Sequence, residues 1–219
     1  MKSHTRLSPY LELCCLRVSA NVSYEHSAED IELFSGMRVS AKTQQRLVHR
    51  QTVELPQAVE PIEELSADGG KIRVRTPVGE ESRWLDYKAV RLHEVAPGAC
   101  FQDNEQLINW VRQQPVVTPL TCLGDGHDGI WNLMEPMAEE SQRREILDWY
   151  HLMENLEKVG GSIRRINQAR SLLWRGDVDA TVSLFEGLKR KQAGNFCAYL
   201  SKHQHRIVNY EYYSTTQKR

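Results

Sequence analysis

The chain has 219 residues, 40% of them hydrophobic, which is enough for one sizeable domain with an appended piece and a buried core. No apolar run approaches the roughly 18–20 residues of a membrane span, and the N-terminus lacks the apolar segment of a secretory signal, so the chain is expected to be cytoplasmic with no membrane partner. The formal net charge of −1 hides an asymmetry: residues 98–157 hold three Lys/Arg against eleven Asp/Glu, −8, and residues 158–219 hold twelve against four, +8.

An acidic centre beside a basic arm suits a metal pocket that handles a polyanion; the same pattern also describes two ordinary solvated helical faces. Cys14, Cys15, Cys100, Cys122 and Cys197 form no Cys-x-x-Cys pair or framework spacing and read as reduced thiols.

In chain order, Ser8 to Val22 predicts a helix, capped by Ser8 with Pro9 at its first position. A second helix is expected from about Ser27, with Glu29 and Asp30 in its first turn and a stop at Ser35-Gly36. A third runs from Ser40 through Arg50. Two short helices around a Gly-containing turn, the second rich in Lys, Arg and Gln, fit a helix-turn-helix or a plain amphipathic bundle. In the first case Lys42, Gln45, Arg46 and Arg50 would reach phosphates and base edges of double-stranded DNA.

Residues 52–61 read as a linker, restricted by Pro56 and Pro61. Ile62 to Thr76 reads as strand, Gly69-Gly70 turn, strand, with Ile72 and Val74 alternating with Lys71, Arg73 and Arg75. Trp84 to Val95 is expected to be a third strand and Asp103 to Gln114 a helix. Leu120 to Leu123 is a short apolar run that breaks on Gly124-Asp125-Gly126, which reads as a buried strand opening onto a loop. Ligands bind at the carboxyl ends of such strands, so Asp125 is either a turn-former or a functional acid, depending on whether a partner carboxylate exists. Asp128 is placed to cap a following helix. Glu145 to Asp148 predicts a fifth strand, and Trp149 to Val159 a helix. Beyond Gly160-Gly161 three helices are expected, Ile163–Trp174, Val178–Lys191 and Ala193 to about Tyr213.

Three meandering strands followed by alternating helices and strands predict an α/β fold with a ribonuclease-H-like mixed sheet. The expected organisation is an N-terminal all-α, helix-turn-helix-like module over residues 1–51, a linker over 52–61, the α/β core over 62–159 and a basic C-terminal all-α insertion over 160–219. In such a sheet Asp68 and Asp125 sit on neighbouring strands. Two close carboxylates repel unless a divalent cation separates them, and hard oxygen ligands suit Mg²⁺ or Mn²⁺. Such ions can drive phosphodiester displacement.

Five segments carry a family resemblance: Tyr24–Gln51, Ser66–Glu80, Cys122–Met134, Glu145–Gly161 and Phe196–Tyr213. Through them the chain resembles bacterial insertion-sequence transposases of the ISKra type, a DDE group related to Mutator-like transposases. The resemblance implies metal-dependent DNA cleavage and strand transfer, with Asp68 and Asp125 as the first two metal-binding acids. It also places Asp148 and His151, in Asp-Trp-Tyr-His, beside the pocket, with Asp128 near it. The basic insertion, through Arg164, Arg165, Lys189, Arg190 and Lys191, would hold element ends and target DNA, and pairing with a second copy of the chain is expected. The family's third acid, a glutamate in a Gly-Ser-Gly-x-x-Glu-Ser-like segment after the helical insertion, has no counterpart; Glu186 and Glu211 lie outside such a motif. The expectation is therefore a shortened, inactive transposase. The alternatives are a non-catalytic DNA-binding or regulatory protein, or a metal-dependent nuclease or phosphatase.

Overall fold

A computed structural model describes residues 7–52, 54–93 and 96–216, and the chain divides into two compact units, residues 1–54 and 55–219. Val95, the expected end of the third strand, and residues 217–219 lie outside the described residues.

The first unit holds α1 (Pro9–Ser19), α2 (Tyr24–Ser35) and α3 (Ala41–His49). Ser8, Ser23 and Ser40 cap them, each side chain accepting a hydrogen bond from a first-turn backbone N–H, that of Leu11, His26 and Thr43 respectively. Each cap contributes about 1 kcal/mol. The second helix thus starts a turn earlier than the sequence reading placed it. Ser27 is fully buried, and its hydroxyl donates to Gln44 Oε1, which also accepts from Ser19 Oγ at 2.9 Å. Gln44 Nε2 donates to the Val39 carbonyl at 3.2 Å. These bonds lock the three helices around Leu11, Cys15, Ile31, Val39 and Leu47.

The second unit is an α/β fold around a five-stranded mixed sheet of order β3-β2-β1-β4-β5, with strands β1 (Ile62–Val74), β2 (Arg83–Leu92), β3 (Ala96–Phe101), β4 (Val116–Gly124) and β5 (Arg143–Leu147). The pairs β1–β2 and β2–β3 are antiparallel; β1–β4 and β4–β5 are parallel. Helices α4 (Asn104–Arg112) and α5 (Asp128–Met134) pack on the sheet, followed by α6 (Trp149–Glu157), α7 (Ile163–Trp174), α8 (Val178–Ser183), α9 (Lys191–His203) and α10 (Tyr210–Thr216). Residues 55–58 lie on α4: Trp110 Nε1 donates to the Pro56 carbonyl at 2.6 Å, and Ala58 N to Gln114 Oε1 at 2.8 Å.

Several expected elements are corrected. Gly69-Gly70 is no turn; β1 runs unbroken through it. An ideal Cβ on Gly69 would lie 2.7 Å from the Lys88 side chain, and one on Gly70 2.7 Å from the Tyr87 ring. Glycine there clears space for two side chains of β2 that cross the strand. Ala96-Pro97-Gly98 forms part of a further strand, β3, which the sequence reading missed. Pro97 is tolerated because β3 is an edge strand, and Gly98 because the Trp110 ring lies against its backbone. The expected helix Val178–Lys191 stops at Ser183, with Gly187 at φ 75° in the following turns. The last helix breaks after His203, so that the chain folds back and Tyr210 Oη donates to the Leu147 carbonyl at 2.8 Å. One core joins the sheet to these helices through Leu147, Leu152, Ile166, Phe196, Leu200 and Tyr210.

Candidate functional site

The parallel register decides where the acids fall. Ala67 of β1 is paired with Gly124 of β4, and Gly124 with Leu147 of β5. The next residues are Asp68, still within β1, and Asp125 and Asp148, the first residues past the ends of β4 and β5. Three aspartates therefore directly follow one paired level, Ala67–Gly124–Leu147, of three neighbouring strands spaced about 4.8 Å apart. Asp68 is not at a strand end, as the sequence suggested; it sits mid-strand, opposite Ala89 of β2, at the level where the pairing with β4 stops.

Each carboxylate is held by local backbone. Asp68 Oδ1 accepts from Gly69 N at 2.7 Å, and Asp125 Oδ1 from His127 N at 2.8 Å. Asp148 caps α6: its Oδ2 accepts from His151 N at 2.9 Å and lies 2.8 Å from His151 Nδ1. That contact fixes the imidazole with Nδ1 as donor and Nε2 turned away from Asp148. The backbone N–H of Asp148 donates to the Gly124 carbonyl at 2.8 Å, tying the ends of β4 and β5 together.

Asp128 does not cap α5. His127 does, its Nδ1 accepting from Gly129 N at 3.0 Å, while Asp128 pairs with Lys202 of α9 at 2.5 Å. The hydrogen bond from Lys202 holds the Asp128 carboxyl below its usual range.

Helix α9 supplies three residues at this edge that the sequence reading did not single out, Tyr199, Lys202 and His203. The Tyr199 ring covers Gly126. Burial pushes its hydroxyl up to about 12, and the carboxylates of Asp125 and Asp148 add to the shift, so the phenol stands near both acids. His203 is fully buried, its ring 4.7 Å from that of Tyr199; burial chiefly pushes it down to about 4. The signal in the sequence was their i, i+4 spacing, in line with apolar Phe196 and Leu200.

The candidate DNA-contacting residues separate. Lys42, Gln45 and Arg46 are exposed on the outer face of α3. Arg50 instead caps α3 and pairs with Glu12 of α1 at 2.5 Å. Arg164, Lys189, Arg190 and Lys191 are exposed, Arg165 half-buried. The Arg190 guanidinium lies over Gly161, where an ideal Cβ would be 2.8 Å from Nη1, so the segments leading into α7 and α9 meet.

Among the described residues no group of three or more His, Cys, Asp or Glu is gathered tightly enough to hold a metal ion, and no helix is long and apolar enough to cross a membrane. All five cysteines are free thiols. No protein-family model and no curated protein matches the chain.

Proposed function

We propose that the chain carries a DDE-type transposase core of ribonuclease-H-like fold that acts on double-stranded DNA, with Asp68 and Asp125 as two of its metal-binding acids. The observation that carries this reading is the register that pairs Ala67 with Gly124, so that Asp68 and Asp125 each follow that paired level of adjacent strands, in a sheet of order β3-β2-β1-β4-β5. The exposed polar face of α3 and the basic residues in the first turn of α7 and around the start of α9 support a DNA partner.

The donor set suits Mg²⁺ or Mn²⁺. Asp68 and Asp125 each commit one carboxylate oxygen to a backbone N–H, and the other makes no hydrogen bond among the described residues. A bound ion would polarise a phosphodiester and activate the attacking oxygen. The chain's own part is to orient: backbone N–H groups aim the two carboxylates, Tyr199 covers the turn that carries Asp125, and Asp148 fixes the His151 ring.

A non-catalytic DNA-binding protein is the second reading. It is favoured by the lack of a three-ligand cluster among the described residues.

Mn²⁺ binding followed by electron paramagnetic resonance separates the two. The transposase reading expects Mn²⁺ binding that Asp68→Ala and Asp125→Ala each abolish. Mn²⁺ binding indifferent to both substitutions would sink the metal site and leave the DNA-binding reading standing.

A further inference from the structure

β1 and β2 run on past the sheet. β4 stops pairing with β1 at Ala67 and β3 stops pairing with β2 at Tyr87, yet β1 and β2 remain paired out to Val74 and Arg83. Residues 71–74 and 83–86 thus form a two-stranded ribbon with no third strand beside it. Residues opposite one another in an antiparallel pair share a face, and successive residues alternate. One face of the ribbon therefore carries the pairs Gly69–Lys88, Lys71–Asp86 and Arg73–Trp84. Three cations and one indole stand on it against a single carboxylate.

Trp84 is 60% exposed, a costly place for the largest apolar side chain unless something covers it. The chain's other four tryptophans, Trp110, Trp131, Trp149 and Trp174, are buried or half-buried. The same face runs into a groove of about 560 Å³ lined by Lys71, Lys88, Gln102, His127 and Asn132 as well as Asp86. The Lys88 side chain spans the step from ribbon to groove: its ammonium lies where it would meet a Cβ on Gly69 at 2.7 Å and one on Gly129 at 3.7 Å. Gly69 directly follows Asp68, but successive residues alternate, so Asp68 stands on the opposite face of β1 from this basic face.

We infer that this ribbon face binds an unpaired stretch of a DNA strand, with a base stacked on Trp84 and phosphates on Lys71, Arg73 and Lys88. Regularly spaced cations match a phosphate backbone, and an exposed indole among them is a stacking platform that any base can use. A duplex keeps its bases stacked inside and offers the indole nothing. The inference rests on the DNA-acting reading and adds to it the form of the strand held, on the sheet face opposite Asp68.

The test uses the whole 219-residue chain, a forked duplex with a single-stranded extension, the matching blunt duplex and oligothymidylate. The fork is expected to bind about tenfold more tightly than the blunt duplex, a preference that Trp84→Ala removes and Trp84→Phe largely keeps. Oligothymidylate is expected to quench tryptophan fluorescence in the parent chain and not in Trp84→Phe. The double change Lys71→Ala/Arg73→Ala is expected to weaken oligothymidylate binding and flatten its salt dependence by about 1.4 log units per log unit. Unchanged fork preference in Trp84→Ala, with duplex binding intact and sensitive to Lys42→Ala/Arg46→Ala, overturns the ribbon inference alone. No binding to any of the three DNAs at low salt overturns the DNA-acting reading and the inference with it.

Discussion

Tyr199 of α9 lies on the backbone of Gly126, its ring filling the space that a Cβ at position 126 would need. The residue next to that glycine is Asp125, so a helix almost 75 positions downstream in the sequence holds the loop that carries the acid. Contacts this close leave no room for adjustment except by moving the helix or the loop.

Gly126→Ala is therefore expected to destabilise the second unit by about 1–3 kcal/mol, lowering its unfolding midpoint by roughly 3–10 °C. Combining it with Tyr199→Ala should recover part of the loss, because the two residues share one space. Thermal unfolding of the two single variants and the double measures this; strictly additive effects would show that the contact is not what makes glycine necessary.

His203 gives the second unit a defined acid sensitivity. The imidazole is fully buried and pushed down to about 4, chiefly by burial, with Arg206 and Lys202 repelling its charged form and Asp128 opposing them. In the unfolded chain it titrates at about 6.5. Between those values the unfolded state binds a proton that the native state does not, so stability falls as pH falls through this window and levels off below about 4. The loss is up to about 3 kcal/mol. Urea midpoints across this range should show the slope in the parent chain and a flatter one in His203→Gln. Parallel profiles would assign the acid loss to other groups.

Neutralising Arg164, Arg165, Lys189, Arg190 and Lys191 together is expected to flatten the dependence of log duplex affinity on log salt by as much as about 4. Each lost phosphate contact releases about one counterion fewer. An unaltered slope would make these residues a solvated face.

Gln44→Leu removes the partner shared by Ser19 Oγ, Ser27 Oγ and the Val39 carbonyl, leaving the two hydroxyls only each other, at 3.1 Å. The expected cost is about 1–3 kcal/mol, confined to residues 8–50. Hydrogen exchange should accelerate over α1–α3 while β1, β4 and β5 keep their protection. Slow exchange over α1–α3 in the variant would mean that apolar packing alone holds that unit.

Local signals were enough for much of this molecule. Ser8, Ser40, Asp103 and Ser162 mark true helix starts, because a capping side chain acts within its own three residues and needs nothing from the rest of the chain. The apolar run ending on Gly124 is a strand end, and Ile163–Trp174 is a helix as its periodicity indicates. Asp125 and Asp68 were visible as acids beside glycines. Their alignment was not, because strand register is set by pairing between segments far apart in the chain and a shift of one residue would turn every side chain to the other face.

Glycine shows the division most plainly. Gly36 ends α2 at φ 69°, a backbone need that the local sequence expresses. Gly69 and Gly70 read as a turn on paper yet lie inside a strand, as Gly98 does, because Lys88, Tyr87 and Trp110 arrive from other elements and claim the space. Tyr199, His203 and the ribbon face around Trp84 acquire their positions in the same manner. The residue types could be read one by one; which of them face each other was decided only when the sheet paired and the helices closed over it.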